Sequence, residues 1–191
     1  MRLLRFACWL LITGTSASHA DGEVKVEAIR KGEFIEVRAS AAIDAPLSVI
    51  WTTLTDYDRL PEFIPGLRRS KVTSRRDGTV IVEQAGEARF LMFTFPIDVT
   101  LEALERPPSS IRVRAISGNL RHFEGTYQVD SDPAGTGKVL RWQGTIIPDV
   151  SLPPLIGEVV MRTRIEDQFT GMVREIEKRE SARRGKESAP K

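Results

Sequence analysis

The sequence predicts an α+β domain in which a curved antiparallel sheet wraps around one long C-terminal helix. Three observations carry this. Six strand-like runs follow one another between residues 67 and 147, separated by turn-forming residues. One apolar stripe recurs at three- and four-residue spacing along the last long segment. A proline-bounded stretch before the six runs has room for two short helices. A sheet with one apolar face and a helix with one apolar stripe both need cover, and packing one on the other covers both.

The chain opens with MRLLRFACWLLITGTSASHA. Arg2 and Arg5 form a basic start, Phe6 to Ile12 an apolar run, and Ser18 and Ala20 the small residues before a cut after Ala20. That is the pattern of a secretory signal peptide over residues 1–20, and the expected destination is the periplasm. The apolar run is far shorter than the ~20 residues of a membrane span. Cleavage would remove Cys8, the one cysteine, and His19, leaving His122 as the sole histidine. It would also lower lysine plus arginine from 28 to 26 against 26 acidic residues, a net charge of zero. A broadly basic nucleic-acid surface is therefore not expected.

The same inventory excludes several chemistries. Without cysteine there is no thiol nucleophile and no cysteine zinc site, and one histidine cannot build a multi-histidine metal centre. No nucleophile elbow and no phosphate-cradling glycine loop occurs. No cofactor or metal is expected. About 170 residues remain, enough for one domain with a substantial core, placed at 21–180.

Val24, Val26 and Ala28 alternate with charged residues up to a turn at Arg30-Lys31-Gly32. In FIEVRASAAI, Ile35, Val37, Ala39, Ala41 and Ile43 share one face and Glu36, Arg38 and Ser40 the other, a half-buried strand. Asp44 is placed to cap a helix with Pro46 in its first turn and Leu47, Ile50, Trp51 and Leu54 on its inner side. Pro61 and Pro65 make PEFIPGL a second short helix or turn. The strand runs are Leu67–Arg75, Thr79–Phe90, Phe93–Glu105, Ser110–Gly118, Arg121–Asp130 and Lys138–Ile147. Pro96 marks a bulge or an edge. The final helix spans roughly Pro154 to Arg179, with Leu155, Val159, Ile165, Phe169, Met172 and Ile176 as its stripe. Polar Ser181 to Lys191 reads as a disordered tail.

This order of elements, with IDAPLSVIWTTLTDYDRLPEFIPGL, VEQAGEARFLMFTFP, RHFEGTYQV and PPLIGEVVMRTRIEDQF in it, resembles the START-like (SRPBCC) superfamily. The branch it resembles is that of polyketide cyclase/dehydrase and coenzyme-Q-binding proteins, over residues Phe34 to Arg179. The resemblance implies a helix-grip fold with an apolar cavity between sheet and long helix, in a family of lipid or quinone carriers, cyclases and accessory factors. The export signal separates this chain from mitochondrial and cytosolic members.

Alternation then nominates cavity residues. Val82, Gln84, Gly86 and Phe90 share one strand face, Phe123, Gly125 and Tyr127 another, and Trp142 and Gly144 a third. Gly86, Gly125 and Gly144 would leave a hollow, or else mark strong sheet curvature. Val159, Arg162 and Phe169 come from the helix stripe. Arg162 is a charge on an apolar stripe, so it either snorkels to solvent or meets a ligand's polar end. Tyr127 offers a hydroxyl, for the ligand or for the core. His122 points to the outer face. The Ile146–Gly157 segment is a lid, a membrane-touching lip or a rigid connector. The function these residues favour is an exported binding protein for a lipid, isoprenoid or quinone. The alternatives are a cyclase/dehydratase-type enzyme and a partner-binding domain with a filled core. The lack of an interior histidine or cysteine counts against the enzyme.

Overall fold

A computed structural model describes residues 23–90, 93–132, 137–149 and 154–188. The proposed signal peptide, residues 1–20, lies outside the described residues, as do residues 150–153 of the loop leading to the long helix.

Eight antiparallel strands form one sheet. They are β1 (Lys25–Lys31), β2 (Phe34–Ile43), β3 (Leu67–Arg76), β4 (Thr79–Phe90), β5 (Phe93–Arg106), β6 (Ser110–Gly118), β7 (Leu120–Ser131) and β8 (Lys138–Pro148). Their order across the sheet is β1-β2-β8-β7-β6-β5-β4-β3. The last six strands are thus a plain meander, and its final strand closes onto β2. Asp77 and Gly78 both take positive φ, the twisted two-residue turn that joins β3 tightly to β4. Register shifts in β3–β4, β5–β6 and β7–β8 add local bending and increase the sheet's twist. Pro96 sits where β5 has run past the end of β6. Its carbonyl accepts a hydrogen bond from the Asn119 side chain at 2.8 Å, so its missing N–H faces an unpaired edge.

The period-two face of β2 is buried as its alternation requires: Ile35, Val37, Ala39, Ala41 and Ile43 all enter the core. Between β2 and β3 the chain crosses to the far edge of the sheet through α1 (Leu47–Leu54) and a 3₁₀ segment, Tyr57–Glu62. Two details differ from expectation. Pro46, not Asp44, holds the N-cap position of α1, and the Asp44 carboxylate accepts from Arg184 at 3.1 Å instead. The second helical segment begins at Tyr57 and carries Pro61 inside it.

Helix α2 runs from Pro154 to Glu187. Residues Ser181–Glu187, expected to be disordered, continue the helix. Arg183 and Arg184 reach back three and four residues to Glu180, at 2.7 and 2.6 Å, and brace that last stretch. The helix lies along β2. Glu158 accepts from the Arg30 N–H at one end, and Arg184 meets Asp44 at the other. Its buried face carries Val160, Phe169, Met172, Val173 and Ile176, and also Glu175 and Glu180. Each of those carboxylates is paired by arginine or lysine.

Candidate ligand cavity

Between the sheet and α2 is a cavity of about 120 Å³. Its sheet wall is built by period-two alternation in successive strands: Val82 and Gln84 of β4, Leu101 and Ala103 of β5, Ile111 and Val113 of β6, Phe123 and Tyr127 of β7, and Trp142 of β8. Helix α2 supplies Ile165, Gln168 and Met172, which its pitch places on one face. Leu54, Tyr57, Leu60, Ile64 and Leu67 close the remaining side.

Five of the nominated residues line this space: Val82, Gln84, Phe123, Tyr127 and Trp142. Phe169 is buried in the core but is not part of the wall. The side chain of Phe90 lies outside the described residues. The glycines are not a hollow. A Cβ on Gly125 would stand 2.8 Å from the Trp142 indole, and one on Gly144 would stand 2.5 Å from the Glu124 carbonyl and 2.8 Å from the same ring. The indole occupies the space that side chains there would need. Gly86 instead lets β4 approach the backbone of Gly66 and Leu67 closely.

Two nominated helix positions stand away from the cavity wall. Val159 is 51 % exposed, and Arg162, three residues on and on the same face, is exposed with it. The stripe passes through Val160, and the arginine one turn further along that row is Arg164. It is half-buried, and its Nη2 donates to the carbonyls of Pro65 at 3.2 Å and Glu87 at 3.0 Å. Arg164 therefore clips α2 to the loop before β3 and to β4, beside the cavity wall. Desolvation lowers its guanidinium pKa below the ordinary value. His122 lies on the outer face, its Nε2 3.0 Å from the Thr145 hydroxyl and its ring edge-on to Phe34.

Few polar groups face the cavity. The Gln84 side chain donates to Ser70 at 3.2 Å. Burial pushes the phenol of Tyr127, which lines the cavity, up to about 12. The residue that sequence reasoning missed is Tyr57, only 6 % exposed. Its neighbours hold it firmly: Asp56 accepts from Arg179 at 2.8 Å, and Asp58 accepts from the Val72 N–H at 2.8 Å. Its ring lies under the Arg75 guanidinium, 5.9 Å from the centroid. Its hydroxyl is enclosed beside the Glu105 carboxylate. Burial first, and then the adjacent Glu105 carboxylate, hold this phenol far above its ordinary value. Both tyrosines are therefore neutral hydrogen-bond donors at physiological pH, and neither is a ready base. Among the described residues, no three His, Cys, Asp or Glu side chains gather closely enough to hold a metal ion.

The fold has clear relatives among solved structures. The STAR-related lipid transfer protein of Xanthomonas axonopodis superposes with a TM-score of 0.67 at 15 % identity, over 84 % of this chain and 96 % of that one. The Zhui aromatase/cyclase of Streptomyces sp. R1128 gives 0.66 at 12 % identity, over 82 % and 99 %. A START superfamily protein of Mycobacterium smegmatis gives 0.60 at 11 %, over 77 % and 97 %. At such identities the likeness concerns the fold. No curated protein matches the chain in sequence. The family model described as polyketide cyclase/dehydrase and lipid transport matches residues 43–173, from the end of β2 to the middle of α2. The match takes in every strand that builds the cavity wall, and the chain belongs to that family of START-like, helix-grip proteins.

Proposed function

We propose that this protein is an exported carrier that holds an apolar small molecule of lipid, isoprenoid or quinone type between the sheet and α2. The observation that supports this most is the composition of the cavity wall. It is apolar throughout apart from a few neutral donors, the make-up of a site that binds by burial and orients by one or two hydrogen bonds. At about 120 Å³ the cavity is near the ~150 Å³ apolar void known to take up benzene, and well below the ~300–1,000 Å³ of drug-sized sites. A whole lipid therefore requires the walls to part. α2 is tied to β1, β2 and α1 along one side, and on its cavity side the Arg164 clip to the Pro65 and Glu87 carbonyls would have to release. Export rests on the leader-like residues 1–20.

Native mass spectrometry of protein recovered from the exported fraction tests both parts. The expected result is a chain beginning at Asp21 with a co-purifying apolar adduct. A chain retaining residues 1–20 would refute export, and a protein that takes up no apolar molecule even when offered one would refute the carrier.

Cyclase/dehydratase chemistry is the second reading. Its support is the family description together with the aromatase/cyclase neighbour. The cavity would then contribute neutral tyrosine donors to a carbonyl substrate. A polyketide-like ketone turned over by the purified protein would favour it.

A further inference from the structure

We propose that the cavity is entered at the seam between α2 and the chain that leads into β3, and that Arg164 is the latch of this entrance. This rests on reading the cavity as a ligand site.

At this seam the cavity wall is thin. Ile64 and Leu67 line the cavity from one side and Ile165 and Gln168 from the other, yet their sequence neighbours Pro65, Gly66, Glu166 and Asp167 are exposed. No residue in 161–168 is fully buried, whereas Phe169, Met172, Val173, Glu175 and Ile176 all are. The later turns of the helix are also held by specific contacts. Arg179 donates to Asp56 at 2.8 Å, and Gly171 lets the helix approach the Phe63 carbonyl and the Pro65 ring closely. The seam can therefore part around Arg164 while the helix beyond Gly171 stays in place.

Arg164 bridges the seam. Its Nη2 donates across it to the carbonyls of Pro65 and Glu87, and Gly66 makes room, because a side chain there would run into the guanidinium. The bridge is poised rather than permanent. The guanidinium is half-buried, both acceptors are neutral carbonyls, and its Nε is enclosed with no partner among the described residues. Burial disfavours a charge matched so incompletely. The Asp167 Oδ2 stands 3.8 Å from Nη1 and Asp167 is itself exposed. On release the guanidinium regains water and finds a carboxylate one turn along to receive it. Two alternative partners keep the open state close in free energy to the closed one.

Arg164 is not among the residues that line the cavity, so a latch there sets how fast a ligand passes and not how tightly it is held. Stopped-flow mixing of N-phenyl-1-naphthylamine, a neutral apolar fluorophore, with wild type, Arg164→Met, Arg164→Lys and Asp167→Asn at neutral pH measures this. In Arg164→Met the association and dissociation rates should rise together, roughly five- to thirtyfold, with the dissociation constant within about twofold of wild type. Arg164→Lys keeps the charge but not the two-pronged donor, and its rates should lie between those two. Asp167→Asn should slow both rates by up to about twofold, having lost the carboxylate that receives the released arginine. Unchanged rates in Arg164→Met, a loss of affinity there without faster exchange, or acceleration in Asp167→Asn would each overturn the latch. In all three of those cases saturable binding of the fluorophore would leave the carrier reading standing. If Arg164→Met does not fold, Arg164→Lys and Asp167→Asn decide the matter by moving the rates in opposite directions or failing to. No saturable uptake by wild type would remove the carrier reading and this inference together.

Discussion

The indole of Trp142 fills the place that a side chain on Gly125 would occupy: an added Cβ would stand 2.8 Å from its Nε1. The two residues come from neighbouring strands, β8 and β7, with Tyr127 opposite Trp142 and Gly144 opposite Gly125 in the register. The ring lies across the glycine pair, stacked 6.3 Å from Phe123 and tilted 6.4 Å from Tyr127. Glycine is needed here because a rigid bicyclic ring cannot yield as a flexible chain would.

Replacement of Gly125 should therefore destabilise the fold rather than fill a void. Gly125→Leu must displace the indole or bend β7, and such overpacking costs about 1–3 kcal/mol. Denaturant melts should show that loss, with a change in tryptophan emission. Trp142→Ala in the same background should recover part of it, because the ring is the obstacle. A Gly125→Leu protein as stable as wild type would show that the space beneath the indole is open after all.

The two arginines of the α2 N-terminal half should behave oppositely. Arg162→Met lies on the exposed face and should change stability by no more than about 0.5 kcal/mol. Arg164→Met removes the donor from two backbone carbonyls. Hydrogen bonds from charged groups are worth about 1.5–3 kcal/mol, and partial exposure together with a buried Nε lacking a partner brings the expected loss to about 1–2 kcal/mol. Urea midpoints of the pair measure the contrast. Proteolysis between Ile64 and Leu67 should quicken only in Arg164→Met.

That contrast also marks where the sequence was legible. The strands were, because alternation and turn residues are local properties: β2 to β8 have ends within one residue of those the pattern predicts, while β1 runs on through Arg30 and Lys31, which the pattern gave to the turn. The later part of the α2 face was legible too, with Ile165, Phe169, Met172 and Ile176 all turned inward, but its start was not, because the buried side includes Arg164, Glu175 and Glu180, whose charges blur the stripe. Val159 and Val160 are adjacent, and choosing between them decides which arginine turns inward. Only the partners of these charges, on other turns and other elements, settle that choice. Tyr57 was missed for a different reason. It lies in a short 3₁₀ segment, too short to show a period, and the aspartates that fix it act through Arg179 and Val72, far off in sequence or on another element.

Acid should weaken the C-terminal end of α2 first. Hydrogen bonds from Arg183 and then Arg184 hold the Glu180 carboxyl at about 2, against an ordinary value of 4.5. The folded value is depressed, so the stabilisation is complete above the unfolded value and is lost as pH falls from about 4.5 to about 2. Hydrogen-exchange protection of the Ser181–Glu187 amides, taken relative to the intrinsic rate at each pH, should fall across that window. Glu180→Gln should show low protection already at neutral pH and little further loss of protection on acidification. Equal pH dependence in both proteins would mean the two arginines do not brace the helix end.

Alkali should act through the cavity. The chain has two tyrosines, Tyr57 and Tyr127, and both are raised above the ordinary value of 10. For Tyr127 the cause is burial, which disfavours the phenolate and places its titration at about 12. A raised acid favours the fold while it stays protonated, so stability is full below pH 10 and falls as pH rises from 10 towards about 12. Ultraviolet titration of the folded protein should therefore show almost no phenolate near pH 10, whereas the urea-unfolded chain should titrate there with both residues. Tyr127→Phe keeps the ring against Trp142 and removes the acid, so its urea midpoint should fall less steeply over that interval than that of wild type. An apolar ligand bound in the cavity would add a second effect: by occupying the wall it should delay phenolate formation further and lift the alkaline limit of the folded state. A folded protein whose two tyrosines both titrate near 10 would show that water reaches these hydroxyls freely, and that the cavity is not the apolar space on which the proposed function rests.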